Sequence, residues 1–330
     1  MPEFRRDPVT GRWVIVAPDR AARPVEFQPL QRRKAPGECP FCSGRESETP
    51  REIYSVRAED SAPDSPGWQV RVVPNKYPAL VLESQSDAAH CDLFQAQAGV
   101  GAHEVIIESP EHLASTSQLS EEAVQDVLKT CALRLAALRC DDRLRYGLIF
   151  KNAGAQAGAT LEHIHSQLIA LPMLPPAVCE ELQGTENYRQ LHGSCVFCDL
   201  IARELDSDVR VLFDDDQFVA ICPYASRFPY ETWILPKAHS SQFEDLADGD
   251  FGPLARILRS VIQSMEDRLD ECAYNYLIHT APFDIGQNEY YHWHVEVFPR
   301  VAMTAGFEWG TGCYINPVAP EQAAKRLRRE

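Results

Sequence analysis

The chain has 330 residues, 45% hydrophobic and 24% charged, with a formal net charge of −16 at pH 7. Such a composition describes a globular protein long enough for two domains. Its acidity excludes general binding to nucleic acid or an anionic membrane surface, and no apolar run reaches the roughly 18 residues that would span a bilayer.

Arg5 and Arg6 stand near the start with no apolar stretch behind them, so no secretory signal is expected and a cytoplasmic location is. Asp7 to Val16 reads as a turn followed by a strand, and residues 26–36 and 58–67 read as polar, proline-containing loops. Between those loops lies Cys39-Pro-Phe-Cys42. Residues 68–75 form a strand ending at a turn, and residues 105–108 another. Ser120 is placed to cap a helix whose apolar stripe runs through Val124, Val127, Leu128, Cys131, Leu135 and Leu138. A strand at 146–150 leads into a run of small residues, and residues 162–169 are again β-prone. The prolines at 172, 175 and 176 mark a crossing.

Beyond the crossing the order repeats. Cys195-Val-Phe-Cys198 precedes strands at 209–213 and 232–235, a helix striped by Leu254, Ile257, Leu258, Val261, Ile262, Met265 and Leu269, and a strand at 274–278. A histidine closes a proline-containing segment in each half, His112 and then His239. His-x-His follows in each, His163/His165 and His292/His294. Leu148 to Leu277, His163 to His292 and His165 to His294 are all separated by 129 positions. This is a duplicated unit. The expected fold is α+β, mostly antiparallel because the connections are short, with halves 1–173 and 174–330.

Eleven cysteines in an odd, irregular set do not make a disulfide framework. Cys91, Cys131, Cys140, Cys179, Cys222, Cys272 and Cys313 read mostly as small buried apolar side chains. The two Cys-x-x-Cys turns suit tetrahedral zinc with two thiolates and two imidazoles. The expected ligand sets are Cys39, Cys42, His112 and His163, then Cys195, Cys198, His239 and His292. Four protein ligands leave no open position, which makes such sites structural. His103 rivals His112 in the first set, and a redox role for the cysteine pairs is the competing interpretation.

His163, His165 and Gln167 alternate along an extended stretch, so their side chains share one face. The preceding segment, residues 150–160, is rich in small residues that let backbone approach a ligand closely. Together they read as a nucleophilic histidine beside a phosphate-accepting loop. His294 and Glu296 echo the pattern in the second half without that loop, which marks a decayed duplicate kept for metal and packing.

With these residues in view, the chain resembles the galactose-1-phosphate uridylyltransferase family of the histidine-triad superfamily. The likeness covers Asp7–Trp13, Arg20–Pro24, Cys39–Cys42, Val73–Leu80, residues 101–105, the block from Asn152 to Gln167, His292–His294, Pro299-Arg300 and Gly306–Pro317. The resemblance implies that His165 is the nucleophile, His163 a zinc ligand and Gln167 a donor to phosphoryl oxygens. By similarity Asn75, Asn152, Gly158 and Thr160 contact the nucleotide, Arg20 and Arg23 lie near it, and Phe307 and Glu308 approach the hexose phosphate. It implies a homodimer acting on UDP-glucose or a related sugar nucleotide and a hexose 1-phosphate, with UMP carried as a uridylyl-histidine.

Three departures qualify that activity. Ile164 stands where the family often has proline, and Thr160 where it has serine. Cys195 and Cys198 stand where well-known members have a site with a glutamate ligand, similar to a branch that includes plant ADP-glucose phosphorylase. That branch gives the alternative of an ADP-glucose phosphorylase or adenylyltransferase using the same histidine. A zinc-stabilised interaction module without catalysis is the reading from a different class.

Overall fold

The structure is a computed structural model that describes residues 2–18, 39–83, 93, 98–270 and 272–328. Arg20, Arg23, Cys91 and the loop expected at 26–36 lie outside the described residues.

In the first half the chain forms β1 (Glu3–Arg6), β2 (Trp13–Val16), β3 (Tyr54–Arg57), β4 (Trp68–Pro74) and β5 (Ala102–Ile107), then helix α1 (Glu121–Arg139), β6 (Tyr146–Ala153) and β7 (His165–Leu171). Two helices follow the crossing, α2 (Pro176–His192) and α3 (Val196–Ser207), and then β8 (Val211–Asp214), β9 (Phe218–Ile221) and β10 (Thr232–Pro236). Helix α4 (Phe251–Arg268) leads to β11 (Tyr274–His279) and β12 (His294–Pro299). The chain ends in α5 (Gly306–Thr311), β13 (Tyr314–Asn316) and α6 (Pro320–Leu327).

Ten strands make one sheet in the order β3-β4-β5-β7-β6-β11-β12-β10-β9-β8. Every pairing in it is antiparallel. The order reads as a palindrome of the duplicated unit about the β6–β11 seam, so the two halves share a sheet and, across the seam, a core. A small second sheet, β1-β2-β13, ties the C-terminal segment to the N-terminal one, with β13 parallel to β2.

One face of the large sheet is covered by α1 and α4, which pack on each other. Leu128 and Leu135 of α1 and Leu258, Val261 and Ile262 of α4 meet Ile149, Leu168, Ile278 and Val295 of the strands, all fully buried. Cutting one of these leucines to alanine costs about 2–5 kcal/mol. The Ser120 hydroxyl accepts the Ala123 N–H and caps α1 as expected. Arg134 of α1 then grips Glu104 of β5 through two hydrogen bonds of 2.9 and 2.7 Å.

The opposite face carries smaller apolar clusters. Trp68, Val73, Val105 and Ile107 pack with Phe41 over the first half. Phe197, Trp233 and Leu235 lie in the cluster over the second. Because side chains alternate along a strand, the odd-numbered residues of β7 point to this face and the even-numbered ones to the helices. Leu168 and Ala170 enter the helix-side core, while His165 and Gln167 face the other way.

Candidate active site and metal centres

The first Cys-x-x-Cys turn sits beneath the start of β7. Cys39, Cys42, His112 and His163 bring four ligand atoms within 4.8 Å of one another, and Cys195, Cys198, His239 and His292 repeat the arrangement. The Cys42 Sγ lies 3.5 Å from His112 Nδ1 and 3.6 Å from His163 Nδ1. In the second group Cys198 Sγ is 3.4 Å from His239 Nδ1 and 3.7 Å from His292 Nδ1. Sulfur and nitrogen ligands on a tetrahedral zinc, at about 2.3 and 2.0–2.1 Å, stand roughly 3.5 Å apart.

The ring nitrogens facing away from these clusters are also fixed. His163 Nε2 meets the Ser109 carbonyl, His292 Nε2 that of Pro236 and His239 Nε2 that of Asn288, each at 2.8 Å. With Nε2–H donated, each imidazole presents the Nδ1 lone pair to the cluster, the tautomer a metal ligand requires. Burial, the largest influence, holds the His163 pKa down at about 4, so its ring is neutral. His112, and not His103, completes the first group. The donor sets fit two closed cation sites.

His163 lies just before β7 instead of inside it. Its carbonyl accepts the Nδ1–H of His165 at 2.8 Å. That bond fixes the tautomer of His165 and leaves Nε2 as an unprotonated lone pair. His165 is 7% exposed. Burial lowers its pKa from the ordinary histidine value, with the Lys151 charge adding to the effect and the His163 carbonyl opposing it. Phe41 sets its ring edge-on to both imidazoles, 6.0 Å from His163 and 5.3 Å from His165 between centroids. A neutral, immobilised imidazole with a free Nε2 has the form of a nucleophile.

On the helix side of the same strand, Ser166, Lys151 and Tyr276 are direct cross-strand partners on β7, β6 and β11. The Ser166 hydroxyl donates to Glu108 and contacts the Tyr276 hydroxyl at 2.8 Å, while Lys151 Nζ reaches the other oxygen of Glu108 at 2.5 Å. All four groups are buried. The row pins three strands together directly behind His165. Glu108 adjoins Ser109, whose carbonyl holds His163.

The loop after β6 turns at Gly154 and Gly158, whose φ angles of 83° and 89° suit glycine. The backbone N–H groups of Ala157, Gly158 and Ala159 are already donated to the carbonyls of Gly154 and Ala155. Those three amides are therefore not free to meet a phosphate, and side chains of the loop are a further source of donors. Asn152 is prepared for that role by Asn275 of β11, whose Nδ2 donates to Asn152 Oδ1 at 2.7 Å and to the Ala157 carbonyl at 3.0 Å. Among the described residues, the Asn152 NH₂ group has no hydrogen-bond acceptor and is free to donate. Thr160 is exposed, and Asn75 lies at the end of β4 within 3.4 Å of Gln167. Phe307 and Glu308 lie on α5, which packs on β13. Among the described residues, no hydrogen bond, ion pair or ring contact joins either to the group around His165.

The second half departs from the first at the equivalent histidine. His294 again donates from Nδ1 to a carbonyl, that of His292, at 3.1 Å. Its Nε2, however, faces Glu181 of α2 at 3.7 Å, and its ring stacks on His279 at 4.6 Å. Glu296 is held by Arg227 at 2.6 Å. A lone pair turned onto a buried carboxylate and covered by a second ring is not a nucleophile, which agrees with a decayed duplicate. Glu181, His279 and His294 also bring three ligand atoms within 4.8 Å. The cysteine site thus stands beside a glutamate-containing group and does not replace it, a correction to the expectation from sequence. Neither Glu181 nor His279 carries a motif signal; only the packing of α2 against the sheet reveals them. Tyr291 and Trp293 are fully buried core residues.

Residues 1–175 match the galactose-1-phosphate uridyl transferase N-terminal domain, and residues 181–329 match the C-terminal domain. The chain belongs to the galactose-1-phosphate uridylyltransferase family. An ADP-glucose phosphorylase of Arabidopsis thaliana is 40% identical over 99% of this chain and 92% of its own length. A galactose-1-phosphate uridylyltransferase of Thermotoga maritima is 28% identical, over 99% and 98%. Among solved structures, an ADP-glucose phosphorylase from Arabidopsis thaliana with bound ADP-glucose aligns with a TM-score of 0.87 at 38% identity, covering 100% of this chain and 99% of that one. A uridylyltransferase structure aligns with a TM-score of 0.78 at 27% identity, covering 99% and 97%. The fold, the duplicated α+β arrangement and the class of activity, nucleotidyl transfer, are those of this family.

Proposed function

We propose that the protein is an ADP-glucose phosphorylase working through an adenylyl-histidine on His165. The observation that carries this reading is the neutral, tautomer-fixed His165 with its free Nε2, in a chain 40% identical over nearly its whole length to an ADP-glucose phosphorylase.

His165 Nε2 attacks the phosphorus that carries adenosine. The new N–P bond forms as the bond to the bridging oxygen breaks, and glucose 1-phosphate leaves as a stable anion that needs no proton. The imidazole gains positive charge, which the Nδ1–H bond to the His163 carbonyl stabilises. An oxygen of inorganic phosphate then attacks the same phosphorus, the N–P bond breaks, and ADP leaves with the histidine restored. Gln167 donates to a phosphoryl oxygen whose charge rises in each transition state. One such donor is worth roughly 2.7–4 kcal/mol, a factor of about 10²–10³ in rate.

The two Cys₂His₂ groups would hold zinc. Zinc supplies no chemistry to the reaction at a closed site; it would tie Cys39 and Cys42 to the segment that aims His165. Exposed Phe4 and Trp13, packed edge-on at 6.3 Å on the small sheet, and exposed Trp309 on α5 support a homodimer in which Phe307 and Glu308 complete a site.

The second reading, uridylyl exchange between UDP-glucose and galactose 1-phosphate, is favoured by the 28% identity to a uridylyltransferase over 99% of the chain. Phosphorolysis separates the two. Incubation with phosphate and either ADP-glucose or UDP-glucose should yield glucose 1-phosphate with ADP from the first at the higher kcat/KM. Faster exchange of UDP-glucose with galactose 1-phosphate would select the second reading instead.

A further inference from the structure

We infer that His103 is a positioning residue that fixes which end of the Gln167 amide faces the substrate. The inference rests on the nucleotidyl-transfer reading above.

Two backbone N–H groups, which can only donate, set the polarity of this cluster. Ala79 N–H donates to His103 Nδ1 at 3.1 Å, so in the neutral ring that nitrogen is unprotonated and the proton sits on Nε2. His103 Nε2 lies 2.8 Å from Gln167 Oε1. It therefore donates to the amide oxygen. Tyr77 N–H donates to Asn75 Oδ1 at 2.9 Å, which turns the Asn75 NH₂ group toward the same place, 3.1 Å from His103 Nε2 and 3.4 Å from Gln167 Oε1, the one acceptor the two donors share.

Both neighbours of that oxygen are thus donors, each with its polarity set by main chain. Were the Gln167 amide turned over, its NH₂ group would meet two donors and find no acceptor. The oxygen must stay with His103 and Asn75, and the NH₂ group must point away from them, free to donate elsewhere on the face that all three share with His165. The strand register makes this possible: Val105 of β5 is paired with Gln167 of β7, so His103, two residues earlier, lies on the same face and one step along the strand.

A glutamine carries acceptor and donor at nearly equal reach, and unsupported it would present either to a phosphoryl oxygen. The acceptor end would repel the charge that develops there. His103 removes that ambiguity without touching substrate. This also gives a role to a histidine that takes no part in the first Cys-x-x-Cys group.

The test is a double-mutant cycle with His103→Ala and Gln167→Ala, read as kcat and KM for ADP-glucose phosphorolysis, with His103→Gln as the conservative variant and zinc content measured throughout. Loss of an orienting partner of this kind costs about 10–100-fold in activity. His103→Ala should lower kcat by that factor with KM little changed and zinc retained. In the Gln167→Ala background it should add almost nothing. His103→Gln, whose NH₂ group can donate to the same oxygen, should recover most of the rate. Wild-type kcat in His103→Ala, or losses that multiply in the double variant, would overturn the inference while leaving the reaction intact. Loss of zinc from His103→Ala would reassign the residue to the metal group and overturn it as well. Absence of wild-type turnover would overturn the functional reading, and this inference with it.

Discussion

Ile149 and Ile278 face each other across the β6–β11 seam as directly paired residues. They are also each other's equivalents in the duplication, separated by the same 129 positions as His163 and His292 (278 − 149 = 129). A residue paired with its own duplicate marks the local two-fold axis of the fold. The axis runs through a fully buried aliphatic pair in the shared core. One consequence is functional: strands of the second half abut the site of the first, which is how Asn275 reaches Asn152 and Tyr276 reaches Ser166.

The pH dependence should follow the His165 ring. Burial, its largest influence, lowers its pKa below the ordinary 6.5, and the nucleophile is the neutral form. kcat/KM for ADP-glucose should stay level as pH falls through 6.5 and decline only below it, because protonation fills the Nε2 lone pair. A pH-rate profile measured at constant ionic strength checks this. An acidic limb centred above 6.5 would contradict it.

Two metal ions should be found per chain, and both should be zinc. Stripping them with a strong chelator, or replacing Cys39 or Cys195 with serine, should lower the unfolding temperature. A metal held at a thousand times its Kd contributes about 4 kcal/mol of stability. Elemental analysis together with a thermal melt measures both quantities. A melt indifferent to chelation, with stoichiometry below one, would remove the structural role.

The Lys151–Glu108 pair is buried on both sides, so removing one member strands a charge. Lys151→Met should cost roughly 3–5 kcal/mol of stability, and a double replacement of Lys151 and Glu108 by apolar residues should cost less than that single change. Urea titration of the three proteins provides the comparison. An additive double variant would show that the two charges are independent.

The short-range features were legible in the sequence because their chemistry is written into local spacing. The Cys-x-x-Cys turns, the histidines 129 positions apart, the Ser120 cap and the alternation of His165 with Gln167 all appear where expected. Helix α2 did not announce itself. It opens in a proline cluster and buries only Val178, Glu181 and Thr185, too few apolar positions to make a stripe. With it went Glu181 and the contact that blocks His294. His103 was visible only as a rival metal ligand, because its partner Gln167 lies 64 positions away and is brought near by strand pairing. The small residues after β6 suggested a loop whose backbone could approach a ligand closely. Three of its amides are taken up within the short turn, a matter of hydrogen bonding that composition cannot express.

The most direct test weighs the intact protein after incubation with ADP-glucose in the absence of phosphate. The account predicts a mass increase equal to one adenylyl group per chain, located on residue 165 by peptide mapping, discharged by added phosphate and absent from His165→Ala. An unchanged mass in an active preparation, or an adduct that survives in His165→Ala, would contradict it.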